Sequence, residues 1–267
     1  MAQPAERLPE SMSAASMVCY EHPLSERMRT YLRVEVLYKE LRFNLERESQ
    51  WASRRAVTNL LDIAAIMGRG DMRSDMLKEV ERQSNVFIQY QDTPGVDEQR
   101  ISRILNNLRN LRKGLVGMGP QYLNALRESE FLNAIKHRST IPGGTCEFDL
   151  PAFSHWLRQP YQRRRADLCN WIKNLLPLCD SVAELLWLFR NSGEAQQQVA
   201  VNGVFHHALE RSAMSGLVRI TLPAGTDCFP EISGGRHRFS IRFKNWPDSA
   251  TQSRQMISDV TFNLMIC

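Results

Sequence analysis

From Leu24 to about Glu46, apolar residues fall at steps of three and four: Leu24, Met28, Tyr31, Val34, Tyr38, Leu41 and Leu45. This heptad-like seam predicts one long helix. Leu32, Val36 and Phe43 form a second stripe, so the helix is buried on more than one side. It is either a central core helix or one that packs on its own domain and also on a second subunit. Further helices are predicted over 51–67, 72–91, from Asp97 onward, and 121–138. Asp71 is placed to cap the second of these. Gly114, Gly117, Gly119 and Pro120 break the pattern, and Asp149 with Pro151 marks another helix start. Tyr161–Leu176 and Pro177–Asn191 complete the helical part; Val182, Leu185, Leu186, Trp187, Leu188 and Phe189 make the last of them a buried element.

After Asn191-Ser192-Gly193 the period changes to two. Alternation around Gly203, over 217–222, over 236–243 and over 259–266 predicts about four antiparallel strands, joined without intervening helices. Val18–Glu21 is a further short run that can add a strand to the same sheet. Helices first and strands afterwards is an α+β pattern: a mainly helical N-terminal and central domain with a C-terminal antiparallel β-sheet domain. The expected boundaries are a disordered leader at 1–17, a helical domain at 18–192 and a β domain at 193–267.

One strand stands apart. Arg236, Arg238, Ser240 and Arg242 alternate with His237, Phe239, Ile241 and Phe243. Guanidiniums along one face repel unless water or an anionic partner matches them. On this stretch alone, a solvated outer face is the simpler reading.

Composition narrows the field. The chain has 267 residues, 43% hydrophobic and 24% charged, with 34 Lys and Arg against 29 acids, a net charge of +5. These are the values of a soluble globular protein with a mild lean toward acidic partners. No apolar run approaches the roughly 18 residues that a membrane span needs. The first residues have no apolar core of a secretory signal, so a cytoplasmic location is expected. The six cysteines (Cys19, Cys146, Cys169, Cys179, Cys228 and Cys267) never approach within four positions of one another, which removes metal knuckles and redox pairs.

Catalytic chemistry finds little footing. No phosphate-binding loop occurs. His206 and His207 are adjacent on a strand, so their rings point to opposite faces and cannot share an ion. Cys146 and His155 lack an orienting third group, and a non-enzyme is expected, with no metal, cofactor or small-molecule substrate. Nucleic-acid binding through Arg103 and Arg109 or through Arg163-Arg164-Arg165 is the alternative. Against it, consecutive arginines spread around a helix. A base-stacking sheet also shows aromatics and charges on one side, whereas Phe239 and Phe243 lie opposite Arg238 and Arg242. A peptide with separate carboxylates fits better.

Three motifs in order resemble the ZapD family of bacterial Z-ring-associated cell-division proteins. They are Tyr20-Glu21-His22-Pro23-Leu24 with Arg27 to Arg33, Ile141-Pro142-Gly143-Gly144 with Phe148-Asp149-Leu150-Pro151 and His155-Trp156-Leu157, and Pro230-Glu231-Ile232-Ser233-Gly234 with Arg238 to Phe243. The resemblance covers Tyr20 to Cys267. It implies a non-enzymatic homodimer that binds the C-terminal tail of the tubulin-like protein FtsZ, crosslinks and bundles its filaments, and works at the midcell division ring. By motif position it implies tail-binding roles for Arg33, Arg69, Arg73, His155, Arg238 and Arg242, in a pocket lined from both domains. Ser129-Glu130 stands where a further basic residue is expected, with Arg127 as the nearby substitute. Tyr31, Val34, Tyr38, Leu41 and Leu45, from the seam of the first helix, are the candidates for the dimer surface.

Overall fold

The computed structural model describes residues 17–91, 93–210, 216–246 and 252–267. Strand β1 (Met17–Pro23) is followed by helices α1 (Glu26–Leu45), α2 (Gln50–Met67), α3 (Met72–Tyr90) and α4 (Glu98–Gly117). Helices α5 (Asn124–Arg127), α6 (Glu130–Arg138), α7 (Pro151–Leu157), α8 (Tyr161–Ile172) and α9 (Leu176–Arg190) come next. The chain then forms β2 (Gln196–Ala200), β3 (Val204–Ala208), β4 (Leu217–Pro223), β5 (Cys228–Gly234), β6 (Arg238–Asn245), β7 (Arg254–Gln255) and β8 (Val260–Ile266). The fold is α+β, helical in its N-terminal and central part and antiparallel β in its C-terminal part. The expected leader falls almost wholly outside the described residues; its last residue, Met17, opens β1.

Local chemistry sets the helix starts. Side-chain oxygens of Ser49, Asp71, Asp97 and Ser129 accept backbone N–H groups at the first turns of α2, α3, α4 and α6. Pro151 opens α7 at a position whose N–H would have no helical partner. The 121–138 helix expected as one element is two, because Ser129 caps a new helix instead of continuing the old one. In α4 the helix runs on through Gly114 to Gly117, past the expected break.

The chain divides into two units: the chain up to Arg29 together with Leu188–Cys267, and Thr30–Trp187. The first is a β-sandwich. One sheet has the order β1-β4-β8-β2, the other β3-β6-β5 with β7 paired to β6. The single sheet of about four strands is thus corrected to two sheets with eight strands among the described residues. Their inner faces share one core that includes Val218, Ile220, Phe239, Ile241, Phe243 and Phe262. Phe262 links the sheets, its ring centroid 5.1 Å from that of Phe243 and 5.3 Å from that of Phe205. Asn202 (φ 50°) and Gly203 (φ 70°) turn the chain between β2 and β3. A Cβ on Gly203 would come within 2.5 Å of Met256 O, so both backbone angle and space demand glycine.

Strand β5 was hidden by Pro230. Phe243, its partner on β6, donates its N–H to Gly203 O and accepts from Met256 N, both on the far side of β6. Pro230 therefore occupies a position where no ladder bond to β6 is due, and its missing N–H costs nothing there. On the other sheet, Glu21 of β1 stands opposite Arg219 of β4. Its carboxylate takes Arg219 Nε at 3.0 Å and Arg190 Nε and Nη2 at 2.7 Å each, which ties β1 to both β4 and the end of α9.

Within the helical unit, an aromatic cluster of Phe131, Phe153, Trp156 and Trp171 joins α6, α7 and α8, with centroid separations of 5.5 to 6.1 Å. Trp156 Nε1 donates to Asp167 at 2.9 Å, which satisfies the indole as it buries. Tyr38 donates to Asp180 at 3.1 Å and Tyr161 to Leu45 O at 2.7 Å. Arg164 is 3% exposed although it sits within a run of three arginines. Its guanidinium donates to carbonyls of Glu48, Ser49 and Gln159 and to Ser53 Oγ, pinning α8 to the loop before α2.

The seam of α1 is spent inside the chain. Tyr31 (2% exposed), Val34 (0%), Tyr38 (9%) and Leu41 (1%) are buried, and Leu45 is half-buried. Tyr31, Val34 and Leu41 thus keep almost no area for a second copy, whereas Leu45 keeps part of its surface. The other stripe remains outside, with Val36 62% and Phe43 56% exposed.

Candidate functional site

Strand β6 alternates as its residues dictate, but from Arg238 onward. Phe239, Ile241 and Phe243 are buried in the sandwich core, and Arg238 and Arg242 are exposed. Arg236 and His237 belong to the hairpin between β5 and β6, not to the strand. Gly234, at φ 148°, lets that hairpin close: a Cβ there would meet Arg238 O and Phe239 Cα, each at 2.5 Å. Gly235 N then donates to Arg238 O at 3.0 Å.

The outer face of this sheet is built row by row from the register. Arg238 pairs with Ala208, Ser240 with His206 and Ser233, and Arg242 with Val204 and Glu231. Lys244 pairs with Phe229 and Gln255. Along β6 the outward stations are separated by two residues, roughly 6.5 Å. Glu231 faces Arg242, yet its carboxylate is held by Lys244 Nζ at 2.7 Å. No ion pair among the described residues engages Arg238 or Arg242. An exposed, uncommitted guanidinium pair on one face is suited to carboxylates presented at matching spacing.

The other residues expected at the site lie in the helical unit. Arg33 is exposed on α1. Arg69 is exposed in the turn between α2 and α3. Arg73 is partly used by the fold: its Nε donates to Leu115 O at 2.7 Å and its Nη2 to Val116 O at 3.3 Å, at the end of α4. Arg127 comes to the same neighbourhood, with Nη2 3.2 Å from where a Cβ on Gly68 would sit. Burial raises the Tyr122 hydroxyl's pKa and nearby Asp71 adds to this, while Arg127 and Arg73 pull it back. Arg73 and Arg127 therefore share one electrostatic environment around the turn that Arg69 also occupies. His155 is exposed on α7, its Nε2 2.9 Å from Gln159 Nε2.

Cys146 and His155 do not pair with each other. Cys146 Sγ points to Asp149 Oδ2 at 3.4 Å, and His155 meets Gln159 instead. Burial pushes the Cys179 thiol up to about 12 and the Cys267 thiol up to about 11, which keeps both protonated. Among the described residues no group of three or more His, Cys, Asp or Glu could hold a metal ion, and no helix is long and apolar enough to cross a membrane.

The basic face of α4 is partly neutralised. Arg112 pairs with Glu81 at 2.9 Å. Arg100 and Arg103 line an open groove of about 510 Å³ together with Asp97 and Glu184. Carboxylates inside the groove oppose a polyanion there.

Two groups on the sheet face escaped the sequence reading. Glu231, Ser233 and Phe229 alternate with Cys228, Pro230 and Ile232 in a strand pattern that was legible but interrupted by proline. His206 gave only an alternation signal, and its place beside Ser240 is a matter of strand register.

A family model described as ZapD, a cell division protein, matches residues 32–242. The chain is 34% identical over 251 residues to the cell division protein ZapD of Dechloromonas aromatica (strain RCB), covering 94% of this chain and 99% of that protein. It is 36% identical over 252 residues to the cell division protein ZapD of Nitrosomonas eutropha (strain DSM 101675 / C91 / Nm57), again covering 94% and 99%. With this match running through both units and including Arg238 and Arg242, the chain belongs to the ZapD family of cell division proteins.

Proposed function

We propose that this protein binds the C-terminal tail of FtsZ and, as a homodimer, crosslinks and bundles FtsZ filaments at the midcell division ring. It does this as a non-enzymatic binding protein. Membership of a cell-division family supports the setting. The observation that carries the binding step is the pair Arg238 and Arg242, exposed on one sheet face and free of ion pairs among the described residues. Arg33, Arg69, Arg73 and His155 are proposed as further tail contacts on the helical unit, with Arg127 beside Arg69 and Arg73. Two tail sites per dimer convert weak single contacts into avid bundling, because the second contact is made at high effective concentration.

The homodimer surface is proposed away from the buried α1 seam, on the exposed side of α1 that carries Val36 and Phe43. Nucleic-acid binding is disfavoured by the inward placement of Phe239 (2% exposed) and Phe243 (0%), which keeps both aromatics of β6 away from its arginines. Low-speed co-sedimentation with full-length and tail-deleted FtsZ tests the reading. Bundles of full-length FtsZ alone are expected, weakening as salt rises. Equal pelleting of both forms rules out tail binding.

A further inference from the structure

His206 is the outward residue of β3 at the middle of the arginine face. Its neighbours settle this orientation: Phe205 packs on Phe262 at 5.3 Å and His207 on Phe239 at 5.2 Å, both on the core side. His206 is exposed and makes no hydrogen bond among the described residues. It stands opposite Ser240, and Ser240 stands opposite Ser233 on β5. The two hydroxyls lie 2.9 Å apart, so one donates to the other and the second O–H is left to donate outward. This row lies between the row of Arg238 and the row of Arg242 on the same face.

We infer that His206, with the Ser233–Ser240 hydroxyl pair, forms the central recognition station of an acidic-peptide site whose outer stations are Arg238 and Arg242. This rests on the tail-binding reading and adds a contact to it. The stations repeat about every 6.5 Å along β6, the distance between alternate side chains of an extended chain. An extended segment lying along β6, with acidic or hydrogen-bonding side chains at alternate positions, therefore meets Arg238, then His206 with the hydroxyl pair, then Arg242. Cross-strand geometry places the imidazole about 5 Å from the Ser240 side chain and about 7–8 Å from each arginine station, within reach of one ligand segment. Among the described residues of β5 and β6 the charged groups on this face are Arg238, Arg242, Lys244 and Glu231, and the Glu231 carboxylate is paired with Lys244. The net positive face favours an anionic occupant.

The test uses the full chain and a fluorescent synthetic peptide of the FtsZ C-terminal tail, titrated at several salt concentrations. His206→Ala is expected to weaken binding about three- to tenfold, the range for one lost hydrogen-bonding contact, with an unchanged unfolding temperature. His206→Arg is expected to tighten binding and to steepen its salt dependence, a gain that a purely structural role does not produce. If both variants bind as the wild type does while Arg238→Ala binds more weakly, the arginine site stands and the role of His206 is overturned. If Arg238→Ala and Arg242→Ala also leave binding unchanged, the sheet-face reading itself fails and this inference with it. A single-stranded oligonucleotide that displaces the peptide from the wild type but not from His206→Ala would overturn the choice of a peptide ligand.

Discussion

Arg242 stands opposite Glu231 across the β5–β6 ladder, yet Glu231 gives its carboxylate to Lys244 at 2.7 Å. Lysine thereby keeps this acidic neighbour off the arginine and leaves the guanidinium without an ion pair among the described residues. Lys244→Met is expected to release Glu231 to its cross-strand neighbour and weaken tail binding about two- to fivefold, the scale of a surface ion pair. Glu231→Gln should strengthen binding by a similar factor. Anisotropy titrations of both variants with the tail peptide check this, and a Lys244→Met affinity equal to wild type would show that Glu231 does not compete.

Arg164 is the structural member of the 163–165 run. Its removal takes a donor from carbonyls of Glu48, Ser49 and Gln159 and from the Ser53 hydroxyl. Arg164→Ala is expected to cost about 4 kcal/mol, at roughly 1 kcal/mol for each of its four lost hydrogen bonds. Arg163→Ala, at an exposed position, is expected to stay within about 0.5 kcal/mol of wild type. Urea unfolding of the two variants separates these outcomes.

Acid should loosen the sandwich through His22. Its Nε2 is buried without a hydrogen-bond partner. Burial lowers the pKa of this imidazole and Arg29 lowers it further, while a backbone contact with Gly234 pulls the other way. The folded state therefore binds fewer protons at this site than the unfolded state does. Its contribution to stability is complete above the ordinary histidine value of about 6.5 and is lost as the pH falls through the lowered folded value. The melting temperature of the wild type should fall on acidification below about pH 6.5, and His22→Gln should flatten that part of the profile. Parallel profiles for the two proteins would assign the acid sensitivity elsewhere.

How far these features could be read in advance depended on how local they are. The cap at Asp71 is a property of neighbouring residues, and the start of α3 follows from it directly. The alternation from Arg238 to Phe243 was equally legible, because a half-buried strand writes its two faces into every second residue. Pro230 concealed β5, since its tolerance depends on which edge of β6 it faces. Ser129 concealed a helix break, because serine is acceptable inside a helix and decisive only as a cap. Tyr31, Val34, Tyr38 and Leu41 illustrate a different limit: spacing by three and four marks a buried face without saying whether the same chain or a second one buries it. For the candidate site, Arg238 and Arg242 came from one strand, while His206 and Glu231 required the register of two others.

The most direct measurement is low-speed co-sedimentation of assembled FtsZ with the wild type and with the Arg238→Glu, Arg242→Glu double variant, whose fold is verified by its unfolding temperature. Reversing two exposed charges leaves the core untouched and should reduce pelleted bundles more than about tenfold, because acidic tail groups then meet like charge. A folded double variant that bundles FtsZ as well as the wild type would contradict the assignment of the arginine face to tail binding.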